Sequence, residues 1–227
     1  IVDGRGRALG FGGQVMKNVA GYDVARLVAG SLGTLALIAE ASIKVLPVPH
    51  AEITVQREAS QVEALQAMNR WAGQPLPISA TAWHDGRLSV RLSGAAPAVR
   101  AAAGAIGGEA LDDAAAFWTA VREQTHPLFD GPEPLWRLAL PSTTPPLELA
   151  GRLLIEWHGG LRWLKSGSSP REAAGRAGGH ATLFRAADKR AGAFMPLDPV
   201  LARLHRELKA AFDPAGVLNP GRLYREL

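Results

Sequence analysis

Cysteine is absent from the 227 residues. This excludes disulfides, cysteine-ligated iron–sulfur clusters and a cysteinyl flavin link from the chain, and it fits a reducing compartment. Aromatic residues make up only 6%, and the arginines are scattered rather than clustered. The formal charge of +4 and pI near 9.8 therefore read as a solvated basic surface, with no nucleic-acid partner expected. The longest mainly apolar run, Leu27 to Ala39, is broken by glycines and too short to cross a bilayer. No secretory leader is visible, so the expected location is cytoplasmic, with membrane association through partner subunits as the alternative.

Several chemical signatures are missing too. His50, His84, His126, His158, His180 and His205 lie far apart, giving no local metal-ligand spacing, so no metal site is expected. Gly4-x-Gly6 is followed by Gly10 rather than a glycine at position 9, which misses the dinucleotide fingerprint. Neither a glycine-Lys-Ser/Thr phosphate loop, a Gly-x-Ser-x-Gly elbow nor an HExxH helix occurs.

What is present is concentrated between Phe11 and Pro47. Gly12, Gly13, Gly21, Gly30 and Gly33 stand among Lys17, Asn18, Tyr22, Asp23, Ser31 and Thr34, ahead of an apolar run. Glycine reaches φ > 0 and lets a ligand approach the main chain. Successive amides in the turn Gly30-Ser31-Leu32-Gly33-Thr34 can form an anion-holding concavity. The chain opens Ile1-Val2-Asp3-Gly4, within what reads as a hairpin and without methionine, and is read as a fragment.

In order, Ala8–Phe11 reads as a strand, Asp23 caps a short helix through Val28, and Ala36–Leu46 reads as a strand ended by Pro47 and Pro49. From Ala51 strands and helices alternate. Ser60-x-x-Glu63 is a capping box opening a helix that carries Val62, Leu65 and Met68, and Asp85-Gly86 is a hairpin turn between Ile78–His84 and Arg87–Leu92. Helices follow over Ala96–Ile106 and from Asp112, the expected cap, to Gln124. A second run pairs Leu135–Leu140, Leu153–Trp157 and Leu161–Leu164, then adds a helix over Pro170–Arg176 and a strand over Ala181–Arg185. The expected class is α+β: a partial nucleotide-binding subdomain followed by a duplicated ferredoxin-like domain, an antiparallel sheet with helices on one face. Asp198-Pro199 starts a last helix whose Leu201, Leu204, Leu208 and Phe212 share a face expected to be core.

Lys17-Asn18-x-x-Gly21-Tyr22-Asp23, Gly30-Ser31-x-Gly33-Thr34-Leu35 and, near the far end, Asp213-Pro214-x-Gly216-x-Leu218-Asn219-Pro220-Gly221 together resemble the FAD-linked oxidase family of vanillyl-alcohol oxidase and p-cresol methylhydroxylase. Within it the wording is similar to the FAD-binding E subunits of bacterial glycolate oxidases, in their C-terminal part. The resemblance implies a C-terminal half of an FAD-binding domain over 1–49, an α+β cap over 50–195 with an open sheet face above the flavin, and a helix and tail over 196–227 returning to the FAD domain. It carries over Asn18, Gly21, Tyr22, Asp23, Gly30, Ser31, Gly33, Thr34, Ile38 and Asn219 as flavin contacts, with Lys17 as a further candidate. It also implies oxidation of glycolate, a 2-hydroxy acid, to glyoxylate, with a catalytic D-type flavin subunit and an iron–sulfur subunit as partners. The pyrophosphate-gripping motif of that family lies upstream, so this fragment alone is expected to bind FAD weakly or not at all and to be inactive.

The catalytic residues stay unassigned. Around one tight hairpin, Arg162 can hold a substrate carboxylate and His158 can accept a hydroxyl proton, although a surface hairpin with an arginine–Glu156 contact explains the same residues. The histidine-bearing Gly-Asp-Gly-Asn motif of the D subunits is absent. Two further functions therefore stay open: a non-catalytic assembly subunit, or a stand-alone FAD-linked oxidase of another hydroxy acid or a sugar alcohol.

Overall fold

The computed structural model describes residues 1–12 and 23–227. They form two compact units, one from Ile1–Leu46 with Pro196–Leu227 and one from Pro47–Met195.

In the first unit, β1 (Val2–Asp3) pairs antiparallel with β2 (Ala36–Leu37). Ala8 contributes one bridge to Val2 rather than the strand expected over Ala8–Phe11. Between them, α1 (Val24–Val28) is capped by Asp23, whose carboxylate accepts from the Arg26 amide at 3.1 Å. The strand expected over Ala36–Leu46 ends at Leu37, and the following residues lie outside any ladder. Ile43 is 83% and Val48 89% exposed. β-Propensity marks a segment that suits a pleated sheet, but a strand also needs a neighbour to take its amides and carbonyls.

The second unit runs β3 (Ala51–Glu58), α2 (Gln61–Ala72), β4 (Ile78–His84), β5 (Arg87–Gly94), α3 (Ala96–Ile106), β6 (Glu109–Ala110), α4 (Ala114–Glu123), a 3-10 turn (Pro127–Phe129), β7 (Leu135–Ala139), β8 (Arg152–Glu156), a second 3-10 turn (Trp157–Gly159), β9 (Leu161–Lys165), α5 (Arg171–Arg176) and β10 (His180–Arg185). Its strands form one antiparallel sheet in the order β10-β7-β9-β8-β4-β5-β3-β6. Numbered within each half, both four-strand runs have the order fourth, first, third, second, so the ferredoxin-like arrangement is duplicated. The halves meet where β4 pairs with β8, with Trp83 opposite Ile155. In the second half the first crossover helix is replaced by the loop 141–151.

Local chemistry explains the regular parts. Ser60 Oγ accepts from the Glu63 amide at 3.3 Å and the Glu63 carboxylate accepts from the Ser60 amide at 2.8 Å, a cap whose loss costs about 1 kcal/mol. Asp85 (φ 46°) and Gly86 (φ 77°) give the primed turn that matches strand twist. Alternation sends Leu88, Val90 and Leu92 to one face, where they are buried under Leu65, Met68 and Trp71 of α2 and Val99, Ala102 and Ile106 of α3. Each such burial contributes about 1.5–3 kcal/mol.

Three expectations need correction. Asp113 rather than Asp112 occupies the cap position of α4, and it makes no side-chain cap bond. Helices are not confined to one face: Val121 and Phe117 of α4, with Leu128 and Phe129 of the 3-10 turn, pack on Leu135, Leu154, Leu161 and Trp163, while the intervening Trp136, Leu138 and Leu164 meet Ala174 of α5 on the other side. Finally, α6 (Pro199–Phe212), which belongs to the first unit, is capped by Asp198 as expected. Yet Leu201 and Leu204 on its apolar face are exposed, and the buried residue is Lys209.

Candidate functional site

In the first unit the glycine turn begins where α1 stops. Gly30 (φ 84°), Leu32 (φ 53°) and Gly33 (φ 72°) are all left-handed. The turn is closed by the Ser31 amide on the Val28 carbonyl at 3.1 Å and by the Thr34 amide and hydroxyl on the Ser31 carbonyl at 3.0 and 2.8 Å. Ser31 and Thr34 are buried, and the Ser31 backbone and the Thr34 hydroxyl help to build the turn. The Leu32 and Gly33 amides have no partner among the described residues, and successive free amides in such a turn can hold an anion.

The C-terminal tail comes back to this turn. The Asn219 side-chain amide donates to the Leu32 carbonyl at 2.7 Å, and a Cβ on Gly33 would lie 2.8 Å from the same nitrogen. The approach therefore requires glycine there both for φ and for space. Leu32, Asn219, Pro220, Gly221 and Arg222 line an open depression beside the contact.

A buried ion pair holds tail and turn together. Lys209 Nζ donates to the Asp213 carboxylate at 2.6 Å, to the Leu218 carbonyl at 2.6 Å and to the Thr34 carbonyl at 2.9 Å. Asp213 also accepts from the Val217 and Leu218 amides at 3.1 and 2.7 Å. Burial alone would raise the Asp213 carboxyl, but the bonds from Lys209 and the two amides outweigh it and hold it below the usual range. Gly4 packs against this carboxylate, where a Cβ would overlap the Asp213 side chain. Lys209 was not among the residues expected to matter, and Asp213 only as the start of the tail motif; their signal was a lysine–aspartate pair four apart at the end of a helix.

The residues expected to contact a flavin divide as follows. Gly30, Ser31, Gly33, Thr34 and Asn219 are brought together. Asp23 is occupied in capping α1, and Ile38 is half exposed just beyond β2. Lys17, Asn18, Gly21 and Tyr22 lie outside the described residues. The assembled part suits an anionic dinucleotide: free amides, a close backbone approach at Gly33, a neighbouring Arg222 and the exposed apolar side chain of Leu32.

The hairpin candidates sit in the second unit. Arg162 is fully buried, and its guanidinium donates to the Gly159 carbonyl at 3.3 Å, to the Pro145 carbonyl at 3.0 Å and to the Thr144 carbonyl. Burial lowers it to about 10, so it stays cationic at neutral pH. Its donors tie down the loop 141–151, which leaves it a strut rather than a holder of substrate carboxylate. His158 is half-buried with φ 55°; its amide donates to Thr81 Oγ1 at 3.0 Å, and burial lowers its imidazole pKa. Glu156 lies on the opposite face from Arg162 and accepts from Trp163 Nε1 at 2.7 Å.

Comparison with known proteins bears out the resemblance read from the sequence. Residues 187–223 match the C-terminal domain of FAD linked oxidases. The chain is 48% identical over its whole length to glycolate oxidase subunit GlcE of Escherichia coli and spans 64% of that protein's length. A shorter stretch, 28% of the chain, is 38% identical to glycolate oxidase subunit GlcD of Bacillus subtilis over 14% of that protein. Among the described residues, no helix is long and apolar enough to cross a membrane.

Proposed function

From a chain that is similar throughout to a glycolate oxidase subunit and ends in an FAD-linked oxidase segment, we propose an FAD-binding subunit of a glycolate oxidase-type complex. In this reading 1–49 and 196–227 supply one half of the flavin domain and 50–195 the cap. The observation that carries it is the meeting of the Leu32–Gly33 turn with Asn219, 2.7 Å apart at the Leu32 carbonyl, beside an open depression. The Leu32 and Gly33 amides would hold the anionic part of the cofactor, Asn219 fixes the turn, and Lys209 with Asp213 keeps the tail in place. When bound, FAD would supply the hydride acceptor for a 2-hydroxy acid, and an iron–sulfur subunit and a GlcD-like flavin subunit would be the partners that take the electrons onward.

The test is FAD titration of the full-length subunit, followed by the flavin absorbance band after gel filtration. Wild type retains FAD. Gly33→Ala, which drives a methyl group against Asn219, and Asn219→Ala both lose most of it. Undiminished retention in both variants overturns the reading. A second function, assembly without catalysis, is favoured by the exposed apolar run Ile43, Val45, Leu46 and Val48. Glycolate-dependent dye reduction by the FAD-loaded subunit without its partners eliminates that alternative.

A further inference from the structure

β10 is the outermost strand on one side of the sheet in the second unit, with β7 as its inner neighbour. An edge strand leaves a row of amides and carbonyls without ladder partners, and these need covering. Residues 186–195 fold back to do this. The Leu183 amide donates to the Ala193 carbonyl at 2.8 Å, and the Ala181 amide donates to the Met195 sulfur at 3.2 Å. Arg171, the first residue of α5, fixes the returning segment. One of its guanidinium nitrogens donates to the Gly192 and Ala193 carbonyls at 2.6 and 3.0 Å, and the group lies over the Trp136 ring at 5.4 Å. Met195 is half-buried and is the last residue of the unit. Its methyl carbon rests against α5, 3.6 Å from where a Cβ on Gly175 would stand. The sulfur is therefore wedged between that helix and the β10 edge.

Of the two bonds that fasten the segment to β10, the one on sulfur can be altered by covalent chemistry, because a thioether takes up oxygen and a carbonyl does not. We propose that Met195 is a redox modification site that fastens or releases this segment. A sulfur lone pair attacks hydrogen peroxide, the O–O bond breaks and an S–O bond forms. Methionine is oxidised by two electrons to the sulfoxide, and the peroxide is reduced to water. The added oxygen needs the space between the sulfur and the Ala181 nitrogen, and α5 behind the methyl group blocks retreat. The segment therefore moves off the strand, and the Ala181 and Leu183 amides open to water. Met68, by contrast, is fully buried in the core under α2, and Met16 lies outside the described residues. The site rests on the second unit alone and is independent of the flavin reading.

Peroxide treatment of the full-length subunit tests it, with peptide masses for each methionine and residue-resolved amide hydrogen exchange. Met195 gains one oxygen ahead of Met68, the Ala181 and Leu183 amides exchange about tenfold faster or more, and methionine sulfoxide reductase reverses both changes. The Leu88 and Val90 amides, within the core of the sheet, keep their rates. Met195→Leu, which fills the same space without an acceptor or an oxidisable atom, exchanges faster at Ala181 before treatment and does not respond to peroxide there. A Met195 that stays reduced while Met68 reacts overturns the proposal. So does an oxidised Met195 with unchanged exchange at Ala181 and Leu183, or one whose oxidation speeds Leu88 and Val90 equally, since that is unfolding of the unit rather than release of one segment.

Discussion

A single residue's parity along a strand decides what it can do in the second unit. Glu156 and Arg162 sit on one hairpin, yet Glu156 faces the Trp163 side while Arg162 faces the loop 141–151. The hairpin itself was legible in the sequence, whereas the face of each charge was not, because a one-residue step reverses it. His126 is similarly hidden from sequence patterns. Its Nδ1 accepts the Leu128 amide at 3.2 Å, and its ring lies 5.1 Å from His84 and 5.9 Å from Phe117. Burial, then His84, lowers its pKa, and Asp130 opposes this only in part. A lowered folded pKa means that stability is fully present above the unfolded histidine value of about 6.5 and is lost as pH falls through the folded value. Urea midpoints of the second unit should therefore drop from pH 7 to pH 5. His126→Asn, which keeps an acceptor for Leu128 without a titrating ring, should flatten that drop. An unchanged slope would assign the acid sensitivity elsewhere, with His158, also lowered by burial, the next group to replace.

At the scale of elements, what was written in local chemistry was readable. The Ser60–Glu63 box, the Asp85-Gly86 turn and the Asp198 cap all formed as their spacing required, since each is satisfied within a few residues. Partnering was not readable. The amphipathic pattern of α4 shows that it has an apolar side, but not which face of the sheet receives it. The run Ile43 to Val48 has strand composition and no ladder, and Leu201 and Leu204 keep helical spacing without burial. An exposed β-prone run offers unpaired amides to any similar edge, and Pro47 and Pro49 limit that only on one flank. This chain in isolation should therefore self-associate at micromolar concentration, and Ile43→Lys with Val45→Lys should shift it to monomer in gel filtration with light scattering. Association that persists in the double variant would point to the apolar face of α6 instead.

Across the whole molecule the two units differ in what holds them. The second has three apolar clusters built on its sheet. Among described residues the buried apolar side chains of the first are Val28, Leu35 and Ala36. There the buried Lys209–Asp213 pair joins α6 to the Thr34 and Leu218 carbonyls. Breaking one partner of a buried pair costs about 3 kcal/mol, because the other charge is left uncompensated. The chain provides its own reporters: all six tryptophans lie between Trp71 and Trp163, in the second unit, and Tyr224 lies in the first. Lys209→Met should therefore lower the urea midpoint of tyrosine absorbance and of part of the far-ultraviolet signal, while the tryptophan transition stays where it was. Adding Asp213→Asn to it should recover part of the loss, since the orphaned charge is then gone. If tryptophan and tyrosine transitions move together, the ion pair stabilises the whole chain rather than the first unit alone.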